Sequence, residues 1–582
     1  TTVICSDKTG TLTRNEMTVQ EAWTPRGGFR VSGVGYAPHG EFARADGGGA
    51  AWKLPGHAQE LLRAGVLCSD ASLNEEDGTW RVDGDPTEGA LVVAARKARL
   101  DVEALRRELP RLDAVPFESE RQFMATLHAE ADGGRVVYLK GAPEVVVARC
   151  AFPGGNEDAR AVLREVERMA SGGMRVLALA ARRPALPLDG LAEADVEEGF
   201  AFLGLQGMID PPRPEAMRAI AACHRAGITV KMITGDHRTT AQAIGRELGL
   251  LPPTGVAVSG EELAALSDAQ LDETVRNANV FARVAPEHKL RIVKSLQKHG
   301  EVVAMTGDGV NDAPALRQAD IGVAMGITGT AVSKESADMV LTDDNFASIA
   351  AAVEEGRRVY DNLVKSLAFV LPTNLGLAVI LMAAVAFFPM AGGSPPLPMT
   401  PTQILWINLV ATVALALPLA FEAMEPDVMQ RRPRRPDAPV LSGFVVARTV
   451  AVALLMAAGA VGLFLYEYRL ETGRGVDAEL ALREAQTMAV TTVILFQVFY
   501  LLNCRSLRDS VLRIGLWSNP AVYVGIAALL ALQAAPIYLP FMNGVFGTAP
   551  LDADALLKSA AVASTVLFAI TLEKWWRAAT TA

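Results

Sequence analysis

Three short acidic turns carry the chemistry open to this sequence. They are Ser6-Asp7-Lys8-Thr9-Gly10-Thr11, Thr234-Gly235-Asp236 and Thr306-Gly307-Asp308-Gly309-Val310-Asn311-Asp312. A carboxylate such as Asp7 can act as a nucleophile toward phosphorus, a second such as Asp308 can help hold Mg²⁺, and donors at Thr234 and Gly235 can neutralise charge developing on a phosphoryl group. A cation is also needed beside the phosphoryl oxygens, and Lys289, which opens the Pro286-Glu287-His288-Lys289 helix signal, can supply it as a point charge. One Asp-Gly pair alone is an ordinary turn. Three such turns, each closing an apolar run, together with the lysine point to phosphoryl transfer.

The elements around these turns explain how residues so far apart could meet. Val3-Ile4-Cys5 reads as a buried strand that ends at Asp7, and Ile228–Ile233 and Glu301–Met305 are strands ending at the second and third turns. Helix-like stretches lie between them, over Glu215–Ala226, His237–Leu248 and Pro286–His299. Strand, glycine-containing turn and helix in repetition predict a parallel, Rossmann-type α/β sheet, in which ligands bind beyond the carboxyl ends of the strands. Asp7, Thr234, Asp308 and Asp312 should therefore converge. Residues 17–208 interrupt this pattern with strand and helix signals of their own, enough for a separate α+β domain. That insertion is expected to carry a nucleotide, and residues 1–16 with 209–345 to form a discontinuous phosphorylation domain. The rigid Asp210-Pro211-Pro212-Arg213 segment, where the chain returns to the first sheet, suits a hinge.

Composition divides the chain in two. Charged residues crowd before about residue 362, and apolar runs of membrane length follow near Leu363–Pro389, Thr402–Phe421, Phe444–Tyr466, Thr487–Leu502, Ala521–Phe541 and Leu556–Leu572. Residues 346–582 thus read as an all-α bundle of six spans in a lipid bilayer. Arg431, Arg432, Arg434 and Arg435 between the second and third spans, and Arg505, Arg508 and Arg513 between the fourth and fifth, place those loops in the cytoplasm; the Ala391–Pro401 loop, with Pro395-Pro396, then faces outward. A net charge of -10 and the lack of any long basic run argue against nucleic-acid binding. Five scattered cysteines without a CxxC pair argue against a disulfide framework or a zinc site. No GxxxxGK[ST] motif supports a P-loop. The chain opens on Thr1-Thr2-Val3, which reads like the middle of a longer protein.

Asp7-Lys-Thr-Gly-Thr-Leu-Thr, Thr234-Gly-Asp and Thr306-Gly-Asp-Gly-Val-Asn-Asp-Ala-Pro resemble the signatures of P-type ATPases within the haloacid-dehalogenase superfamily, and most closely those of the calcium-pump-like type II branch. The resemblance implies an ATP- and Mg²⁺-dependent pump phosphorylated on Asp7. It also implies Mg²⁺ held by Asp7, the Thr9 carbonyl and Asp308, with Lys289 at the phosphoryl group and Asn311 and Asp312 supporting the site. Asp85-Pro-Thr-Glu88, Val115-Pro-Phe117-Glu-Ser-Glu, Lys140-Gly141-Ala-Pro-Glu and Met174-Arg175-Val-Leu match the family's nucleotide pocket. Phe117 would stack on adenine, Lys140 and Gly141 would line the pocket, and Glu88 and Arg175 would fix base and phosphates. Gly235, Asp236 and Arg283 would contact the nucleotide from the sheet side. Gln122 departs from the pattern, since many calcium pumps carry lysine there.

The ion residues depart further. Leu377, Thr412 and Gln497 stand where calcium pumps place carboxylates, so Asn374, Asn408, Thr412 and Gln497 are the candidate ligands of the transported cation. The resemblance names Ca²⁺ first, with Na⁺, K⁺ or H⁺ as the alternative, and the charge deficit suggests at most one ion per cycle. The same resemblance leaves out the actuator domain and first four spans, so a truncated, non-transporting ATP-binding fragment is the rival of another class. A soluble superfamily phosphatase would share the acidic turns but needs no spans. The implied location is a bacterial inner membrane, with the catalytic domains in the cytoplasm.

Overall fold

The computed structural model describes residues 1–45, 54–118, 120–186, 188–388 and 396–581, apart from the side chains of 411, 412, 578 and 581. The chain divides into two compact units, Thr1–Ala351 with Gln430–Pro433, and Ala352–Met429 with Arg434–Ala582.

The first unit contains two large sheets. One is wholly parallel and seven-stranded, in the order Val258–Ser259, Val280–Ala282, Thr229–Ile233, Val3–Asp7, Val303–Gly307, Ile321–Met325, Met339–Leu341. The Val3–Asp7 strand is central, and Val3, Ile4 and Cys5 are buried, as a strand covered on both faces by helices must be. The helices Pro214–Arg225, Arg238–Glu247 and Pro286–Lys298 lie within a residue or two of the stretches expected from the periodicity. Proline at the start of the first and last of these occupies the position where a missing N–H costs nothing.

The second sheet is antiparallel and eight-stranded, in the order Phe42–Arg44, Gly27–Val31, Thr18–Thr24, Ala201–Ile209, Arg175–Arg182, Arg135–Gly141, Phe123–Ala129, Arg111–Val115. Its chain segment enters and leaves between the Val3–Asp7 and Thr229–Ile233 strands of the first sheet. Helices Gly56–Leu67 and Pro86–Lys97 pack in one apolar cluster with Val19, Tyr138, Leu179 and Met208 on one face, and Asn156–Ser171 packs Val162, Val166 and Met169 on the other.

The second unit is helical. Six helices among the described residues are long and apolar enough to cross a membrane: Phe346–Phe387, Pro401–Phe421, Gly443–Gly473, Ala478–Cys504, Pro520–Tyr538 and Ala553–Arg577. The first begins in the other unit and runs on into this one. Several helices outlast the apolar runs that signal them, because polar caps rather than hydropathy end them: Ser442 and Asp477 accept from the first free amides of the third and fourth. The expected outward loop from Ala391 through Pro395, and Pro389 at the end of the first run, fall outside the described residues. The fourth span is the most enclosed, packed between the third and sixth.

Two features of this bundle follow from backbone chemistry. Pro372 stands inside the first span and cannot donate to the Ala368 carbonyl, and the Tyr500 hydroxyl of the fourth span donates to that carbonyl instead, at 2.8 Å. Arg505, fully buried, donates to both oxygens of Glu422, to the Leu516 and Gly515 carbonyls and to Ser518, while Asn519 also donates to Glu422. Lys365 pairs with Glu425 beside it, at 3.3 Å. Removing one member of such a buried pair strands the other charge and costs about 3–5 kcal/mol.

Candidate active site

The parallel sheet delivers the acidic turns to one edge. Asp7 ends the central strand, and its amide donates to the Thr306 hydroxyl on the neighbouring strand. One Asp7 carboxylate oxygen accepts from the Lys8 amide and the other from Lys289 Nζ, each at 2.6 Å. Lys289 also donates to Asp312 at 2.8 Å, so a single buried ammonium bridges two carboxylates. Burial by itself would lower the Lys289 pKa, but the charges of Asp7 and Asp312 outweigh it and hold the amine above its ordinary range.

Carboxylate oxygens of Asp7, Asp308 and Asp312 lie within 4.8 Å of one another. Burial, then the charges of Asp7 and Asp312, push the Asp308 carboxyl above its usual range. This cluster of hard oxygen donors, with one amine among three acids, fits a small divalent cation such as Mg²⁺. Asp312 is the most committed of the three. Its Oδ1 accepts from Lys289 and its Oδ2 from the amides of Asp308 and Gly309, which leaves Asp7 and Asp308 as the donors with spare capacity. Gly307 permits this packing: a Cβ there would fall 2.5 Å from the Asp312 Cβ.

The remaining candidates on this edge sit at different depths. Thr234 is buried and its hydroxyl accepts from the Asp236 amide; Thr9, Gly235, Arg283 and Asn311 are exposed. Arg283 takes a positive φ of 49° and its amide donates to the Asp236 carbonyl. Lys8, which sequence reasoning passed over, is buried and pairs with Asp236 at 2.8 Å, tying the first acidic turn to the second. Asp210 accepts from the Thr13 hydroxyl, and Arg213 donates to the Gly10 and Thr13 carbonyls, so the proline pair is anchored on the turn after Asp7. Their place within or beside the quoted motifs was the only signal available.

The antiparallel sheet carries a separate cavity of about 620 Å³. Glu88, Phe117, Gln122, Lys140, Gly141 and Arg175 are among its lining residues. Asp85 caps the Pro86–Lys97 helix by accepting from the amides of Thr87 and Glu88, which fixes Glu88 at the rim. Glu88 does not reach into the cavity unengaged. One oxygen accepts from Lys140 at 2.5 Å and the other from the Asp70 and Ala71 amides. Gly141 has no room for a side chain, since a Cβ would stand 2.4 Å from the Gln122 carbonyl. Phe117 is 53% exposed, and Arg175 is exposed.

Of the ion candidates, Gln497 is 1% exposed with Oε1 lacking a hydrogen-bond partner among the described residues. Asn374 and Asn408 are exposed, Asn408 within a π-helical turn, Ile407–Ala411, beside a cavity lined by Leu381, Met399 and Ile404. The Thr412 side chain is outside the described residues.

Family models match along much of the chain: a P-type ATPase cytoplasmic domain N over residues 57–215, haloacid dehalogenase-like hydrolases over 142–317 and 289–353, and a cation-transporting ATPase C-terminus over 396–576. The probable cation-transporting ATPase F of Mycobacterium tuberculosis is 48% identical over 98% of this chain and 62% of its own length. The cation-transporting ATPase pma1 of Synechocystis sp. is 45% identical over 95% and 61%, and a calcium-transporting ATPase of Bacillus subtilis 39% over 94% and 60%. The chain therefore spans about three-fifths of the length of these relatives. A superfamily hydrolase sheet, a nucleotide-domain match and a membrane bundle follow one another in a single chain, which at this identity is similar along nearly its whole length to P-type cation-transporting ATPases.

Proposed function

We propose that this chain forms the catalytic and membrane part of a pump that couples ATP hydrolysis, through an aspartyl-phosphate at Asp7, to cation transport. The observation that carries the reading is the junction of Asp7, Lys289, Asp308 and Asp312 at the end of one parallel sheet. Residues 1–16 with 209–345 act as the phosphorylation domain, 17–208 as the nucleotide domain and 346–582 as the membrane domain. The arginine-bearing loops put the catalytic domains in the cytoplasm, and the bacterial relatives suit an inner membrane.

In this reading ATP binds in the 620 Å³ cavity, its base against Phe117 and its charge facing Arg175. The Lys140–Glu88 pair ties the pocket to residues 69–71 behind it: Lys140 donates to the Ser69 hydroxyl, and Glu88 accepts from the Asp70 and Ala71 amides. An Asp7 oxygen attacks the γ-phosphorus; the new O–P bond forms as the bond to the β,γ-bridging oxygen breaks, and ADP leaves with that electron pair. Lys289 meets charge on the transferring group, and its contact with Asp312 keeps it aimed there. Asp7, the Thr9 carbonyl and Asp308 would hold Mg²⁺, which when bound supplies further neutralisation of the phosphoryl oxygens. A water oxygen later bonds to that phosphorus as the Asp7 O–P bond breaks, which releases inorganic phosphate and returns Asp7 as a carboxylate. At most one cation is transported per cycle, with Gln497, Asn374, Asn408 and Thr412 as candidate ligands. Ca²⁺ is the first choice, because relatives of this identity are named calcium-transporting.

Labelling with [γ-³²P]ATP tests the reading. Asp7→Asn keeps the side chain's size and removes the anionic nucleophile, so acid-stable phosphoprotein should disappear while nucleotide binding persists. Label that persists in Asp7→Asn would overturn the assignment.

A further inference from the structure

The same end of the bundle that buries Arg505 holds a second cationic cluster, between the third and sixth spans, to which the pump reading assigns nothing. Arg448 on the third span is 4% exposed. Its Nη2 donates to Glu573 on the sixth span, but Nε and Nη1 are buried and lack a hydrogen-bond partner among the described residues. A guanidinium is always charged, and donors left unsatisfied away from water are costly, so the position calls for an acceptor that the described residues do not provide.

The surroundings add positive charge. The Arg577 guanidinium lies 3.5 Å from the centroid of the Phe444 ring and that of Arg448 lies 4.6 Å from it, so two cations share one aromatic ring. Glu573 is the carboxylate between them, its other oxygen 3.6 Å from Arg577. Lys574, also buried, is held by the Asn503 and Asp509 carbonyls rather than by an acid. Of the acids close by, Asp509 is paired with Arg513. Arg448 and Arg577 thus share one carboxylate and one aromatic ring. Arg577 and Glu573 are partly exposed, and Trp575 and Trp576 on the same helical turn stand exposed, as residues of a membrane's aromatic belt do.

We propose that this cluster binds the phosphate of an anionic phospholipid headgroup, with Arg448 and Arg577 as its donors. An oxyanion carrying several acceptors would satisfy the two open donors of Arg448. A lipid is favoured over free phosphate because Arg577 stands on the same turn of an apolar span as two exposed tryptophans. This inference rests on the six helices being spans and not on the chemistry at Asp7.

Native mass spectrometry of the full chain released from detergent tests it without reference to ATPase activity. Phosphatidylglycerol, phosphatidylcholine and inorganic phosphate would be added separately. The expected result is several-fold more retained phosphatidylglycerol than phosphatidylcholine, no phosphate adduct, and loss of the phosphatidylglycerol excess in Arg448→Met and in Arg577→Gln. Arg577→Gln lies at the more open side and gives a result even if Arg448→Met does not fold. Equal retention of the two lipids, binding of phosphate without a lipid preference, or an unchanged excess in Arg577→Gln would each overturn the proposal.

Discussion

Phe117 shows how far a single residue could be understood before its surroundings were known. An aromatic side chain in Val115-Pro-Phe117 is by default core, yet it is half exposed at the wall of a cavity it shares with Lys140 and Arg175. Base stacking on such a ring is worth about 1–3 kcal/mol, so Phe117→Ala should raise the ATP concentration for half-maximal phosphorylation by roughly 5- to 150-fold. Phosphorylation from inorganic phosphate, which needs no adenine, should be spared; equal loss of both reactions would make Phe117 a packing residue. The acidic turns were legible as strand ends that meet because each is short and contiguous and closes an apolar run. Glu88 was only half legible. Its place at the pocket follows from the motif, but its pairing with Lys140, 52 residues away, depends on the register that brings the Arg135–Gly141 strand beside the helix capped by Asp85. The tie from Lys8 to Asp236 was hidden for the same reason.

Among elements, the three parallel strands that end in the acidic turns, and the three helices between them, were readable to within a residue or two, since burial on both faces leaves an unbroken apolar signal; the shorter strands toward the sheet's edges, such as Val280–Ala282 and Met339–Leu341, were not read. The spans were readable in number and less so in length, because hydropathy marks the lipid-facing run and caps mark the ends. What hydropathy could not reveal is the repair at Pro372, where a residue from another helix satisfies the carbonyl the proline abandons. Tyr500→Phe removes that donor and leaves a buried acceptor unsatisfied, at a cost of about 1–3 kcal/mol. The thermal midpoint of the chain in detergent should fall. In a Pro372→Ala background the backbone amide can again serve Ala368, so the same substitution should cost much less. Equal effects in both backgrounds would show that the Tyr500 hydroxyl does something other than stand in for the missing N–H.

Across the whole molecule, the carboxylates of the second unit are confined to the ends of its spans. Glu422, Glu425 and Glu573 lie at one end, each paired with Arg505, Lys365 or Arg448, and Glu467, Glu471 and Glu484 lie toward the other. The apolar stretches between them contain no acid at all, only neutral oxygens such as those of Asn374, Thr491 and Gln497. A dehydrated divalent ion normally takes six to eight oxygens, several of them charged. The orphaned Oε1 of Gln497 is one acceptor suited to a cation, and it brings no charge. The intact pump should therefore bind at most one Ca²⁺ per phosphorylation site in an equilibrium ⁴⁵Ca²⁺ measurement, whereas two would refute this reading. Gln497→Glu restores a carboxylate at the position where the amide now stands. If Gln497 is a ligand, this variant should bind Ca²⁺ more tightly, with the gain growing as rising pH ionises the new acid. A buried carboxylate without an ion is costly, so the gain should appear only with Ca²⁺ present, and in its absence the variant should be less stable than the parent. A Gln497→Glu protein with unchanged Ca²⁺ affinity at every pH would remove Gln497 from the ion path and leave it an interhelical polar residue.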